Sequence, residues 1–325
     1  MPHSVVVIGN FDGVHQGHQR LLQVARERAH TLAEGGRDLK VIAVTLWPHP
    51  MTVFAADRAP RLLTTLDDRL RLLRHYGADE VRVIQFNREV ASWSPERFVD
   101  TMVRPLNPAV VIVGANFTFG KGARGTGETL RELSGGDFEV QNLELVSVGG
   151  RKTSSSFIRR TLAAGDVATA AHHLGRTFRV TGVVMVGDQR GHTLGFPTAN
   201  LAISAELATP GDGVYAGWLT PLDEPDAEPL EAAISVGTNP TFDGVERRVE
   251  SYVVDRTDLH LYGRHIAVDF VEHLRGMARF HDIDELITQM HSDVKRTREV
   301  LDATRPTAGV TGAGIPADSW SAQRD

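Results

Sequence analysis

Two histidines, His15 and His18, stand three apart in the run Gly9-Asn10-Phe11-Asp12-Gly13-Val14-His15-Gln16-Gly17-His18. An imidazole, neutral or protonated, donates hydrogen bonds to phosphate oxygens. A pair at this spacing suits the charge that builds on α- and β-phosphates during a displacement, with no covalent intermediate. The β-branched run Val5-Val6-Val7-Ile8 precedes the loop and the amphipathic run Arg20-Leu21-Leu22-Gln23-Val24-Ala25-Arg26 follows it. A strand that feeds a Gly-punctuated loop and then a helix sets backbone N–H groups at the helix's positive end, where phosphate binds. No Gly-Lys-Ser/Thr follows, so this is not a Walker loop. A metal site is the rival; no further ligand is counted beside the pair, so metal ligation by it is not expected.

A second candidate is Thr153-Ser154-Ser155-Ser156-Phe157-Ile158-Arg159-Arg160. Its hydroxyls and helix-opening amides suit a phosphate, and Arg159 adds a fork of donors. Ordinary N-capping accounts for the hydroxyls equally well. Two further groups stand much later. Pro197-Thr198-Ala199-Asn200 reads by itself as a turn. In Val249-Glu250-Ser251-Tyr252-Val253, alternation puts Glu250 on the face opposite Val249 and Val253, where a carboxylate is usually just solvated.

The elements that must position these residues differ between the halves of the chain. Short, nearly continuous apolar runs at 5–8, 41–46, 81–86 and 110–113 predict buried strands. Helical patterns lie between them. The first covers about 16–33. The second opens at Thr64-Thr65-Leu66-Asp67-Asp68 and ends near Gly77. The third opens at Ser94-Pro95-Glu96 and stops before Pro105. Repeated βα units predict an α/β fold with a doubly wound parallel sheet, whose ligands bind at the carboxyl ends of strands. The histidine loop and Gly114-Ala115-Asn116-Phe117-Thr118-Phe119-Gly120 both follow such strands, so they can face one crevice. Two helices are expected over 153–176. Beyond Phe178, runs at 179–186, 214–219, 232–236, 248–254 and 265–274 predict an antiparallel β-barrel, and Asp282 caps a final helix. The boundaries expected are 1–160, a helical linker 161–177, a barrel domain 178–303 and a disordered tail 304–325.

Composition narrows the class. At 325 residues, two domains are expected, and 41% hydrophobic residues suffice for packed cores. Cysteine is absent, which excludes a disulfide scaffold and thiolate chemistry and fits a reducing compartment. No apolar run approaches the roughly 20 residues of a membrane span, and the strand at the N-terminus leaves no signal peptide, so a cytoplasmic protein is expected. A net charge of −6 argues against a nucleic-acid coat. Oligomeric state is left open.

His-x-Gly-His after a first strand, with Ser-Ser-Ser-Phe-Ile-Arg later, resembles the nucleotidylyltransferase superfamily. The fuller match is narrower. Residues 9–18, Trp-Pro-His-Pro (47–50), Gly-Ala-Asn-Phe-Thr-Phe-Gly (114–120) and Gly-Phe-Pro-Thr-Ala-Asn (195–200) occur in this order, and over about residues 4–303 the chain resembles the bacterial bifunctional riboflavin kinase/FAD synthetases. The resemblance implies AMP transfer from ATP to FMN in the first domain. Gly9, Phe11, His15, His18, Ser155 and Arg159 would hold ATP, with His15, His18 and Arg159 also catalytic, and Asn116, Phe117 and Phe119 would hold the flavin. In the second domain it implies phosphorylation of riboflavin. Gly195, Thr198 and Asn200 would meet Mg²⁺-ATP, with Thr198 and Asn200 as metal ligands. Glu250 would contact the flavin and take the proton of its 5′-hydroxyl. The implied small molecules are riboflavin, FMN and ATP, with Mg²⁺ as cofactor and no nucleic-acid or membrane partner. Leu46-Trp47, Asn116, Phe157 and His192 depart from the family's usual residues. The first three of these motivate one alternative, a kinase whose first domain adenylylates another acceptor or almost nothing; against a second, a flavin-binding regulator without catalysis, stand the intact His15, His18, Thr198, Asn200 and Glu250.

Overall fold

The computed structural model describes residues 3–33, 39–144, 146–186, 195–224, 226–241 and 244–304. The chain divides into two units, Met1–Ser155 and Ser156–Asp325. The stretch 187–194, which includes His192, and the tail beyond 304 lie outside the described residues.

In the first unit, strands β1 (Ser4–Ile8), β2 (Lys40–Trp47), β3 (Glu80–Gln85), β4 (Pro108–Gly114) and β7 (Glu139–Leu143) form one sheet in the order β3-β2-β1-β4-β7. Every neighbouring pair is parallel. Two small hairpins, β5 (Thr118–Phe119) with β6 (Gly125–Thr126) and β8 (Ser147–Val148) with β9 (Arg151–Lys152), lie apart from it. The strand order reverses between β1 and β4, which is where an open α/β sheet leaves a crevice at its carboxyl edge. The four predicted strands are present. The fifth, β7, has no continuous apolar run: in Glu-Val-Gln-Asn-Leu only Val140 is fully buried, as an edge strand requires.

The helices of this unit are α1 (Gln16–Thr31), α2 (Pro50–Phe54), α3 (Leu66–His75), α4 (Arg88–Ala91), α5 (Pro95–Phe98) and α6 (Gly127–Ser134). Thr65 caps α3 and Ser94 caps α5, each accepting from the amide three residues on. The expected stop before Pro105 does not occur. After α5 the chain winds more widely over Val99–Val103, then tightly over Arg104–Leu106, and ends only at Asn107, whose φ is +47°. Pro105 falls in the first turn of that last segment, where its missing N–H costs nothing.

In the second unit, α7 (Ser155–Ala163, whose first residue ends the first unit) and α8 (Val167–Leu174) precede the barrel strands β10 (Phe178–Met185), β11 (Thr198–Ala202), β12 (Gly213–Pro221), β13 (Leu230–Thr241), β14 (Gly244–Val253) and β15 (His265–Arg275). They close in the order β10-β11-β14-β13-β12-β15, and helix α9 (Ile283–Asp302) follows. Val180, Leu201, Leu219, Ile234, Val249 and Val268 fill the interior. Outside, α9 covers Ala216 and Trp218 with Val300 and Leu301. The sequence predicts five of the six strands. The sixth, β11, is the segment expected to be a turn; pairing with both β10 and β14 overrides the local preference of Pro197 and Asn200.

Gly217 marks the tightest point of the barrel. A Cβ there would lie 2.0 Å from the Asp269 carbonyl oxygen and 2.5 Å from Ile234 Cδ1. Backbone cannot yield as a flexible side chain can. Gly217→Ala is therefore expected to destabilise the barrel by about 1–3 kcal/mol or more, read as a lower urea midpoint of its unfolding.

Candidate functional site

The loop after β1 is built from residues with unusual backbone. Phe11, Gly13 and Val14 all have positive φ, at 51°, 81° and 38°. For Phe11 and the β-branched Val14 this is strained, at a cost on the order of 1–3 kcal/mol each. Buried contacts hold the conformation. The Asp12 carboxylate accepts from the amides of Leu63 (3.0 Å) and Thr64 (3.3 Å). The Thr64 hydroxyl accepts from the Gly13 amide at 3.3 Å. Arg69, wholly buried on α3, donates to the carbonyls of Asn10 (3.0 Å) and Leu46 (3.3 Å) and to Asp12 Oδ1 (3.3 Å). Its guanidinium carbon lies 5.2 Å from the centre of the Trp47 ring.

This frame aims the two histidines. His15 is the N-cap of α1, and its carbonyl accepts from the amides of His18 (2.7 Å) and Gln19 (3.0 Å). The two imidazoles stack at 3.7 Å with 15° between their planes. Phe11 meets His18 edge-on at 5.1 Å. No acidic residue occupies the first turn of α1, so the positive end of its dipole is unopposed by a side chain of its own. Gly9 leaves room for the Phe11 ring, whose Cζ would be 3.1 Å from a Cβ at that position. Ser155 donates from Oγ to the Asp12 carbonyl at 2.8 Å, so its hydroxyl is one of the loop's supports.

Phe11 is wholly buried, and its ring lies edge-on against His18. Phe119 is 6% exposed and packs with Phe98 (5.2 Å) and Phe117 (5.4 Å) in the core beneath the sheet. It backs Phe117, which is half-buried, while Asn116 is exposed at the end of β4. Asp12 is a carboxylate three residues before His15. Its oxygens are turned to Leu63, Thr64 and Arg69, which makes it a structural support. Arg69 itself gave no sequence signal: an Arg on an amphipathic helix ordinarily faces water.

Arg159 lies one turn along α7 from Ser155 and is half-buried. Phe157, in the same turn, packs against His173 at 4.5 Å.

On the barrel, register does what spacing alone does not. Asn200 pairs with Glu250, Thr198 with Tyr252, and Glu250 also pairs with Ser235 on β13. Directly paired residues share a face, so Thr198, Asn200, Glu250 and Tyr252 stand together on the outer surface. All four are half-buried, while Ala199, Leu201, Val249, Ser251 and Val253 point inward. The Asn200 amide nitrogen donates to the Thr198 carbonyl (3.2 Å) and hydroxyl (3.3 Å). The Thr198 hydroxyl and the Asn200 side-chain amide thus lie beside each other on the outer face. Mg²⁺ takes few protein oxygens and completes its shell with phosphates and water, so this donor set fits it. Gly195 sits before the strand with φ +83°, a conformation other residues rarely adopt. Phe196 packs against Tyr252 at 5.0 Å and against His291 of α9 at 5.2 Å, anchoring the start of β11.

A parallel sheet with a paired-histidine phosphate loop at its switch point, followed by a barrel carrying hydroxyl, amide and carboxylate groups in register, defines a nucleotidyl-transferring domain joined to a phosphotransfer domain. Residues 1–157 match the family model described as FAD synthetase, and residues 174–301 the one described as riboflavin kinase. The chain is 36% identical over 305 residues to the bifunctional riboflavin kinase/FMN adenylyltransferase of Escherichia coli K12, covering 93% of this chain and 94% of that protein. The protein of the same description from Bacillus subtilis is 34% identical over 299 residues, covering 89% and 90%. A crystal structure described as a macrolide-efflux protein from Streptococcus pneumoniae is similar with a TM-score of 0.81 and 31% identity, over 91% of this chain and 94% of that one. Among the described residues, no helix is long and apolar enough to cross a membrane. The chain belongs to the bifunctional riboflavin kinase/FMN adenylyltransferase family. It is an enzyme of two activities, with riboflavin, FMN and ATP as its small-molecule substrates.

Proposed function

We propose that the barrel, as residues 178–303, phosphorylates riboflavin, and that residues 1–160 adenylylate the FMN so formed, with 161–177 as the helical linker between them. Two separate sets of phosphate-handling groups carry this reading: the histidines stacked at 3.7 Å on α1, and Thr198, Asn200 and Glu250 in register on the barrel. In the barrel, the riboflavin 5′-hydroxyl attacks the γ-phosphorus of ATP, ADP leaves, and the Glu250 carboxylate accepts the hydroxyl proton. Thr198 and Asn200 would hold Mg²⁺, which when bound neutralises phosphate charge.

In the first unit, an oxygen of the FMN phosphate attacks the α-phosphorus of ATP and pyrophosphate leaves. That phosphate is already ionised near neutral pH, so no general base is needed. Positioning and charge stabilisation dominate. His15 and His18 donate to the phosphates as charge develops, with Gly9 admitting the close approach of the nucleotide. Ser155 and Arg159 serve the ATP phosphates, and Asn116 with Phe117 receives the flavin. We place the enzyme in the cytoplasm, consistent with its lack of cysteine.

The test is a coupled assay on the full chain with riboflavin, ATP and MgCl₂, the flavins being separated by chromatography. FMN should appear first and FAD after it, with one pyrophosphate per FAD. EDTA should stop both steps and excess MgCl₂ restore them. FMN that accumulates without FAD would mean that the first unit has another acceptor.

A further inference from the structure

We infer that Arg69 is a positioning residue for adenylyl transfer, acting through the loop on His18. The inference rests on the reading of His15 and His18 given above. Arg69 occupies a core position of α3, beside the buried Leu72 and Leu73, and is 0% exposed. A guanidinium at such a position is costly unless its donors are matched. Here Nη1 and Nη2 are matched by one small region: the Asn10 carbonyl, the Leu46 carbonyl and the Asp12 carboxylate. Asn10 and Asp12 flank Phe11, the residue with φ +51° whose ring supports His18 at 5.1 Å.

A chain of contacts therefore runs from Arg69, through the residues on either side of Phe11, to the imidazole of His18. The Asn10 carbonyl also accepts from the wholly buried Thr45 hydroxyl at 3.1 Å, which fixes the same point to β2. Arg69 is closed off from solvent and so from substrate. What it contributes is the conformation of a strained loop, and through it the aim of a transition-state donor. Lysine keeps the charge but lacks the planar fork that serves separate acceptors at once.

The test compares Arg69→Lys with wild type in the full chain. Arg69→Lys is expected to lower kcat for FAD formation from added FMN by about 10–100-fold, since small misplacements of reacting groups have effects of that order. The KM for ATP should change by less than about threefold, because binding outlasts a loss specific to the transition state. The decisive readout is the double variant with His18→Ala. If Arg69 acts through His18, Arg69→Lys in the His18→Ala background should cost no more than about a further twofold, as residues acting as a unit are non-additive.

Thr64→Val, which removes the hydroxyl holding Gly13, is a gentler variant suited to the same cycle should Arg69→Lys melt below the assay temperature. It should lower kcat by about 3–10-fold, again without adding to His18→Ala. Losses that multiply with that of His18→Ala, or full kcat in Arg69→Lys or in Thr64→Val, would overturn the inference. If His18→Ala alone left FAD formation intact, the underlying reading of the histidines would be the one to fail.

Discussion

Replacing His18 by alanine is expected to lower FAD formation by about 10–1,000-fold while riboflavin phosphorylation by the same molecule continues at its normal rate. One donor aimed at developing charge contributes on the order of 2.7–4 kcal/mol to a transition state, and this sets the upper part of the range. The lower part reflects His15. Its ring stacks on that of His18 at 3.7 Å, so it stands close enough to take over part of the role. The alternative outcome is informative. If FMN formation fell in parallel in a folded protein, the histidines would not belong to a separate adenylyl-transfer site. His18→Asn, which keeps a side-chain donor, should fall between the alanine variant and wild type.

The second large effect is expected at Glu250. Glu250→Gln keeps the shape of the side chain and its place opposite Asn200, but an amide accepts no proton from the riboflavin hydroxyl. Phosphorylation should fall by about 10²–10⁴-fold, the usual contribution of a positioned base. Thr198 and Asn200 remain, so the KM for ATP should hold. FAD formation from added FMN should be unchanged, and supplying FMN should restore FAD production that riboflavin no longer supports. A variant that lost both activities, with its urea midpoint intact, would contradict the assignment of one set of groups to each unit.

The two predictions mirror each other, and that is their strength. Each variant serves as the folding control for the other, because the silent activity reports on the unit left untouched. Trp47, Asn116 and Phe157, the residues expected to depart from the family's usual pattern, have different surroundings in the structure. Trp47 lies against the guanidinium of Arg69 and Phe157 against His173, so both are absorbed by packing. Asn116 is exposed at the end of β4 and stays available to a ligand.

Much of this was legible in the chain alone. Val5-Val6-Val7-Ile8, the glycines of the loop and the histidine spacing are local signals, and local signals suffice where strand, turn and helix follow within eighteen residues. The alternation around Glu250 likewise placed it on the outer face. Local signals misled where tertiary pairing outweighs them. Pro197 and Asn200 spell a turn, yet strands on both sides draw the segment into the barrel. Phe119 stands only three residues after the exposed Asn116, yet on β5 it turns inward while Thr118 stays exposed.

The sequence by itself therefore determined the two domain types, the histidine loop and the residues suited to phosphate and proton chemistry, since each depends on neighbours in the chain. Only the tertiary structure decided what holds those residues in place. Asp12 and Arg69 are 57 positions apart, and their pairing in the core has no periodicity that could announce it. Thr198, Asn200 and Glu250 come together on one face only through antiparallel register, which is set by the closure of a whole barrel and not by any stretch of it.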